Sequence, residues 1–137
     1  MGAIVKKLDK RVATAGQLAA AEFSELGKLG YSVIVNHRPD HEEPGQPTSQ
    51  ELAEAARVSG LTYVWIPVSG MPDRAAVEAT AAVLENASES APVLMFCRSG
   101  MRSTAAWAMA ERARGVDADE LRTAAAAGGY DLSRLPL

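Results

Sequence analysis

Cysteine is all but missing from this sequence. Cys97 stands alone, so no disulfide can form within the chain and no cysteine cluster can hold a metal. Basic charge is not in excess either: 14 Lys and Arg against 17 Asp and Glu leave a formal charge of −3. A mildly acidic chain without a basic stripe has no electrostatic footprint for nucleic acid. No apolar run approaches the roughly 20 residues that a membrane span needs. The opening stretch MGAIVKKLDKR has early charges and no long apolar segment, unlike a secretory leader. These absences predict a cytoplasmic protein with neither a nucleic-acid nor a membrane partner.

What is present is a globular composition, 47% apolar and 23% charged over 137 residues. Alanine-rich stretches such as AATAAVL and STAAWAMA favour helix. Valine and isoleucine gather instead in SVIVN, TYVWIPV and PVLMF. The periodicities predict strands over Lys10–Ala15, Tyr31–Asn36, Leu61–Val68 and Pro92–Phe96, the last three read as buried. Between them fall helices over Leu18–Leu29, Thr48–Ser59, Pro72–Ala87 and Thr104–Arg114, and a further helix starts at Asp117. Strands alternating with helices imply one α/β domain over residues 1–137, a small parallel sheet flanked by helices. Ligands of such sheets bind beyond the carboxyl ends of the strands.

Two loops leave strands toward that edge. One is Cys97-Arg98-Ser99-Gly100-Met101-Arg102-Ser103, at a strand-to-helix junction. A helix N-terminus attracts anions, and successive amides around a glycine make an oxyanion nest. Arg98 and Arg102 add guanidinium forks for a tetrahedral anion. The same positive field favours a thiolate at Cys97, the nucleophile of covalent catalysis, and Ser103 stands where its hydroxyl can support that thiolate. Arg98, Ser99, Gly100, Met101, Arg102 and Ser103 are thus candidates for anion binding. The other loop, Asn36-His37-Arg38-Pro39-Asp40, brings Asn36, Arg38 and Asp40 to the same rim, either to meet substrate or to shape a turn. His37 and His41 flank a proline and make no convincing metal pair, so neither a metal nor a cofactor is expected. Gln17, at another strand end, either caps the next helix or faces the site. Trp65 and Trp107 are read as core or interface, and an Ala/Trp helix face would suit a homodimer.

The CRSGMRS loop resembles the active-site loop of rhodanese sulfurtransferases. The chain as a whole resembles the beta-lactamase hydrolase-like protein, phosphatase-like domain family. That likeness runs from Ala15-Gly16-Gln17 through Asn36-His37-Arg38-Pro39-Asp40-His41-Glu42 and Ile66-Pro67-Val68 to Cys97–Ser103. It implies the phosphotyrosine-phosphatase-like fold of the tyrosine and dual-specificity enzymes, and Gln17 is marked by it. Relatives that look like this domain also occur beside sulfur-oxidising proteins, which implies sulfide metabolism as a setting.

Sulfur and phosphate chemistry are separated by three features. Cysteine phosphatases have Cys-x5-Arg, whereas Arg102 comes one residue sooner and Ser103 occupies the arginine's place. Phosphate-ester cleavage wants a carboxyl as proton donor. Asp73 is the candidate in the preceding loop and Asp40 is in reserve, although Asp73 also stands where acids start helices. Phe96 replaces the histidine that precedes the phosphatase cysteine. On these grounds the sequence favours a sulfurtransferase carrying sulfane sulfur on Cys97, with thiosulfate or a persulfide as donor and an external thiol as acceptor. The alternatives are a cysteine phosphatase acting on phosphate esters, and an anion-binding module without turnover.

Overall fold

The computed structural model describes residues 4–137. Five strands form one sheet: β1 (Val5–Lys7), β2 (Val12–Ala15), β3 (Val33–Asn36), β4 (Thr62–Trp65) and β5 (Val93–Phe96), in the spatial order β1-β2-β5-β3-β4. The helices are α1 (Phe23–Lys28), led in by a 3-10 turn at Ala20–Glu22, then α2 (Ser49–Val58), α3 (Arg74–Leu84), α4 (Met101–Ala113) and α5 (Ala118–Ala127). The β2–β5, β5–β3 and β3–β4 pairings are parallel.

Alternation along the inner strands explains the three-layer arrangement. In β5, Val93 and Met95 join the core shared with Ala76 and Leu84 of α3, Trp107 of α4 and Leu121 of α5. Leu94 and Phe96 join the opposite core with Phe23 and Leu26 of α1 and Leu52 of α2. A strand buried on both faces has apolar residues throughout, which is why PVLMF has no polar position. β5 lies at the centre of the sheet, and the chain leaves its carboxyl end at Cys97. Phe96 is in register with Ala15 of β2 and with Asn36 of β3. The loops after three strands therefore meet at one edge.

Several sequence expectations need correction. The sheet is not wholly parallel, because β1 pairs antiparallel with β2; its exposed VKK pattern carries no core signal. β4 is an edge strand with only half-buried and exposed positions, not a buried one. The helix expected from Leu18 begins at Phe23, since Leu18 is a core residue of the approach loop. α4 begins at Met101 rather than Thr104, so Met101, Arg102 and Ser103 are its first turn. Trp107 is buried at the centre of that helix, so the alanine–tryptophan face read as suited to self-association is core. No described helix is long and apolar enough to cross a membrane.

Candidate active site

Gly100 makes the turn from β5 into α4. Its φ of +95° lies in the left-handed region that only glycine adopts freely. A side chain there would also collide with the Tyr130 hydroxyl, which packs over the loop. The turn aims the Gly100 amide at the Cys97 Sγ, 3.1 Å away. Cys97 has no exposed surface. Its amide donates to Ala15 O at 3.4 Å, and the Gln17 amide donates to Arg98 O at 3.1 Å, so the end of β2 supports the loop from beneath. Gly16 is needed for that approach, since a Cβ there would lie 3.0 Å from Arg98 O.

Arg102, in the first turn of α4, lies beside Cys97 and is held on its other side by Glu42. Its Nη1 donates to Glu42 Oε2 at 2.7 Å and its Nη2 to Glu42 Oε1 at 2.8 Å, while Nη1 also donates to Val68 O at 2.6 Å. Glu42 Oε1 accepts in addition from Arg38 Nε at 2.7 Å. The hydrogen bond from Arg102, ahead of that from Arg38, holds the Glu42 carboxyl down at about 2.

Arg38 is buried. Its Nη1 donates to Gln17 Oε1 at 2.9 Å and its Nη2 to Glu43 Oε1 at 2.9 Å. The Arg38 amide is bound by Asn36 Oδ1 at 2.7 Å and its carbonyl by Trp65 Nε1 at 2.9 Å. Asn36, Gln17 and Arg38 thus form a scaffold behind the site, and Arg38 reaches Arg102 through Glu42. Arg98 and Ser99 are exposed on the rim, with Arg98 Nη2 3.8 Å from Glu43 Oε2. The Met101 side chain is exposed as well.

The two candidate acids are both engaged in starting helices. Asp73 is the N-cap of α3 and accepts from the Ala76 amide at 2.8 Å. Asp40 accepts from the Ser49 amide at 2.8 Å, at the start of α2. Ser103 was expected to face the thiolate. Its Oγ instead lies 2.7 Å from His37 Nδ1, whose Nε2 lies 3.0 Å from Thr80 Oγ1, and the whole chain is buried. Burial, and secondarily the Arg102 charge, lower His37 to about 4, so it is neutral at ordinary pH.

Reading the sequence weighed His37 only as a metal ligand and did not find the contacts of Glu42 and Glu43 or the buried His37–Ser103 pair. The signal lay in charge balance: three arginines gathered at one edge call for carboxylates nearby, and the loop HRPDHEE supplies them. Among the described residues no three His, Cys, Asp or Glu side chains converge as a metal site.

Comparison with known proteins extends the picture. A family model described as the beta-lactamase hydrolase-like protein, phosphatase-like domain matches residues 5–114. A beta-lactamase hydrolase-like protein of Xylella fastidiosa is 36% identical over 129 residues, which make up 93% of this chain and 30% of the relative. The chain therefore spans less than a third of that relative's length. The crystal structure of a putative phosphatase from Neisseria meningitidis superposes with a TM-score of 0.81 at 30% identity, covering 94% of this chain and 91% of the other. A Pseudomonas aeruginosa protein, TpbA, in complex with pTyr superposes with a TM-score of 0.64 at 19% identity, covering 94% and 76%. That last likeness is one of fold alone. The fold is that of tyrosine-phosphatase-like enzymes, as the sequence implied. These matches, to a phosphatase-like domain family and a putative phosphatase, back the phosphatase alternative better than the sulfurtransferase favoured on loop spacing, the acid candidates and Phe96.

Proposed function

The chain belongs to the beta-lactamase hydrolase-like protein, phosphatase-like domain family, and from that premise we propose that it is a cysteine-dependent phosphatase of small phosphate esters. The observation that carries this reading is the Gly100 amide on Cys97 Sγ with Arg102 beside it, at the carboxyl end of the central strand. The Gly100 amide and the guanidinium beside the sulfur are placed to hold the oxygens of a phosphoryl group that the sulfur attacks. Cys97 Sγ forms a bond to phosphorus as the ester P–O bond breaks and its electron pair leaves on the alcohol oxygen. Water then cleaves the phosphocysteine to inorganic phosphate and free thiol.

The leaving oxygen needs a proton only when its alcohol is weakly acidic. Asp73 and Asp40 are both bound to helix-start amides. Esters of acidic alcohols, aryl phosphates above all, leave without such help. The pTyr bound by the P. aeruginosa neighbour is an ester of this kind.

The same engagement of both acids favours a second reading. Transfer of sulfane sulfur through a Cys97 persulfide requires no proton donor, since sulfite or a thiolate departs readily, and an external thiol would be its acceptor. One experiment decides between the two. Intact mass is measured after brief exposure to p-nitrophenyl phosphate or to thiosulfate, with Cys97→Ser alongside. A phosphoryl adduct on the wild type alone, with release of p-nitrophenol, is the expected result. A single added sulfur that cyanide removes, with no phosphoryl adduct, transfers the assignment to sulfur chemistry.

A further inference from the structure

Glu42 does something unusual for a loop carboxylate: it fills the fork of the arginine that the proposed chemistry needs. Both of its oxygens face both terminal nitrogens of Arg102, at 2.7 and 2.8 Å. That is the bidentate geometry in which a guanidinium holds two oxygens of a phosphoryl group. Cys97 meanwhile has no exposed surface, so a substrate reaches Sγ only after the side chains around the loop shift.

The backbone is arranged for this contact. His41, immediately before Glu42, has a φ of +63°, a left-handed conformation uncommon outside glycine and asparagine. This turn sends Glu42 and Glu43 toward the arginines. Glu42 also has a second anchor: Arg38 Nε at 2.7 Å, on a guanidinium that is buried and fixed by Gln17 and Glu43. Arg102 likewise keeps Val68 O at 2.6 Å. If the Glu42–Arg102 fork opens, each partner is still tethered, and the contact can reform.

We infer that Glu42 is an internal competitor for the substrate's oxyanion, which holds Arg102 between turnovers, yields it to the incoming phosphoryl group and takes it back to expel inorganic phosphate. This rests on the reading of Arg102 as the oxyanion-binding arginine. A carboxylate offers Arg102 two oxygens. A phosphoryl group offers the same two and a third for the loop amides, so the covalently held group wins the exchange. Free phosphate, no longer attached to sulfur, meets a tethered carboxylate at high local concentration. Glu42 is a positioning residue in this scheme, because it touches Arg102 and not the reacting atoms.

The test is calorimetric titration with inorganic phosphate, together with phosphate inhibition of p-nitrophenyl phosphate turnover. Glu42→Gln keeps an acceptor for Arg38 Nε and removes the competing charge. Glu42→Asp keeps the charge but is a methylene too short to span Arg38 and Arg102 together. Both variants are expected to bind phosphate more tightly, Glu42→Gln by about tenfold, the worth of one charge-assisted contact, and their kcat and KM fall together as release slows. A merely structural Glu42 moves the result the other way, since Arg102 loses its position and phosphate binds more weakly. Unchanged or weaker phosphate binding in both variants, or no binding in any form, overturns the inference. Binding is read without turnover, so a wild type that binds phosphate yet leaves p-nitrophenyl phosphate intact refutes the phosphatase reading alone.

Discussion

The Gly100 amide and the Cys97 sulfur are 3.1 Å apart, and the left-handed backbone of Gly100 sets that distance. Gly100→Ala asks an L side chain to sit at φ +95° and drives its Cβ into the Tyr130 hydroxyl. The backbone term alone is of order 1–3 kcal/mol. The expected outcome is a lower melting temperature and a loss of turnover of at least 100-fold. Tyr130→Ala in the same chain should recover part of the melting temperature and little of the activity, because it removes the collision and leaves the backbone strain. Thermal melts and steady-state rates on the single and double variants check this.

Asp73 separates a helix cap from a proton donor. Asparagine caps a helix start nearly as well as aspartate, whereas alanine costs about 1 kcal/mol. Asp73→Asn should keep both stability and the turnover of p-nitrophenyl phosphate, while Asp73→Ala loses stability alone. If Asp73→Asn instead lowers kcat by tenfold or more, Asp73 gives a proton to the leaving group, and the restriction to acidic alcohols falls.

The central features were legible because they depend on local chemistry. The PVLMF run marked the inner strand, and Cys97, Gly100 and Arg102 followed from the strand-to-helix junction. The rest depends on what strands bring together from distant parts of the chain. Glu42 meets Arg102 across 60 positions, and His37 meets Ser103 across 66. Neither pair has any sequence spacing to betray it. Arg38 read as a rim cation because loop arginines are commonly solvated. Its burial follows only from the convergence of Gln17, Glu42 and Glu43 around it. The edge strand β1 was invisible, since a short exposed strand needs no apolar pattern.

Beside Arg102 runs a cleft of about 260 Å³, lined by Met71, Pro72, Met101, Ala105, Leu132 and Leu135. Met71 and Met101 are among the large apolar side chains left exposed. Flexible thioether walls adapt to the shape of an apolar group. In the phosphatase reading this is where an aryl leaving group lies. Met71→Ser and Met101→Ser should each raise KM for p-nitrophenyl phosphate about fivefold, the scale of burying one or two methylenes. Acetyl phosphate, whose leaving group is acidic but carries no ring to seat, should keep its wild-type KM in both variants. Equal effects on both substrates would remove the cleft from substrate binding.

His37 makes stability depend on pH in a defined window. An unfolded chain takes up a proton at this residue near its ordinary 6.5, but the folded chain does so only near 4, because the imidazole is buried between Ser103 and Thr80 and close to Arg102. Between those values the unfolded state holds the extra proton, so stability is complete above 6.5 and falls as pH drops toward 4, by up to about 3 kcal/mol. Glu42 titrates lower, near 2, and its stabilising contribution starts to fade only below the ordinary glutamate value of 4.5. The interval from pH 6.5 to 5 therefore belongs to the histidine. Replacing it with His37→Gln should lower the melting temperature at pH 7.5, where the wild-type imidazole is neutral and well bonded. The same change should flatten the dependence between pH 6.5 and 5. A variant whose melting temperature keeps the wild-type slope through that interval would show that another group carries it.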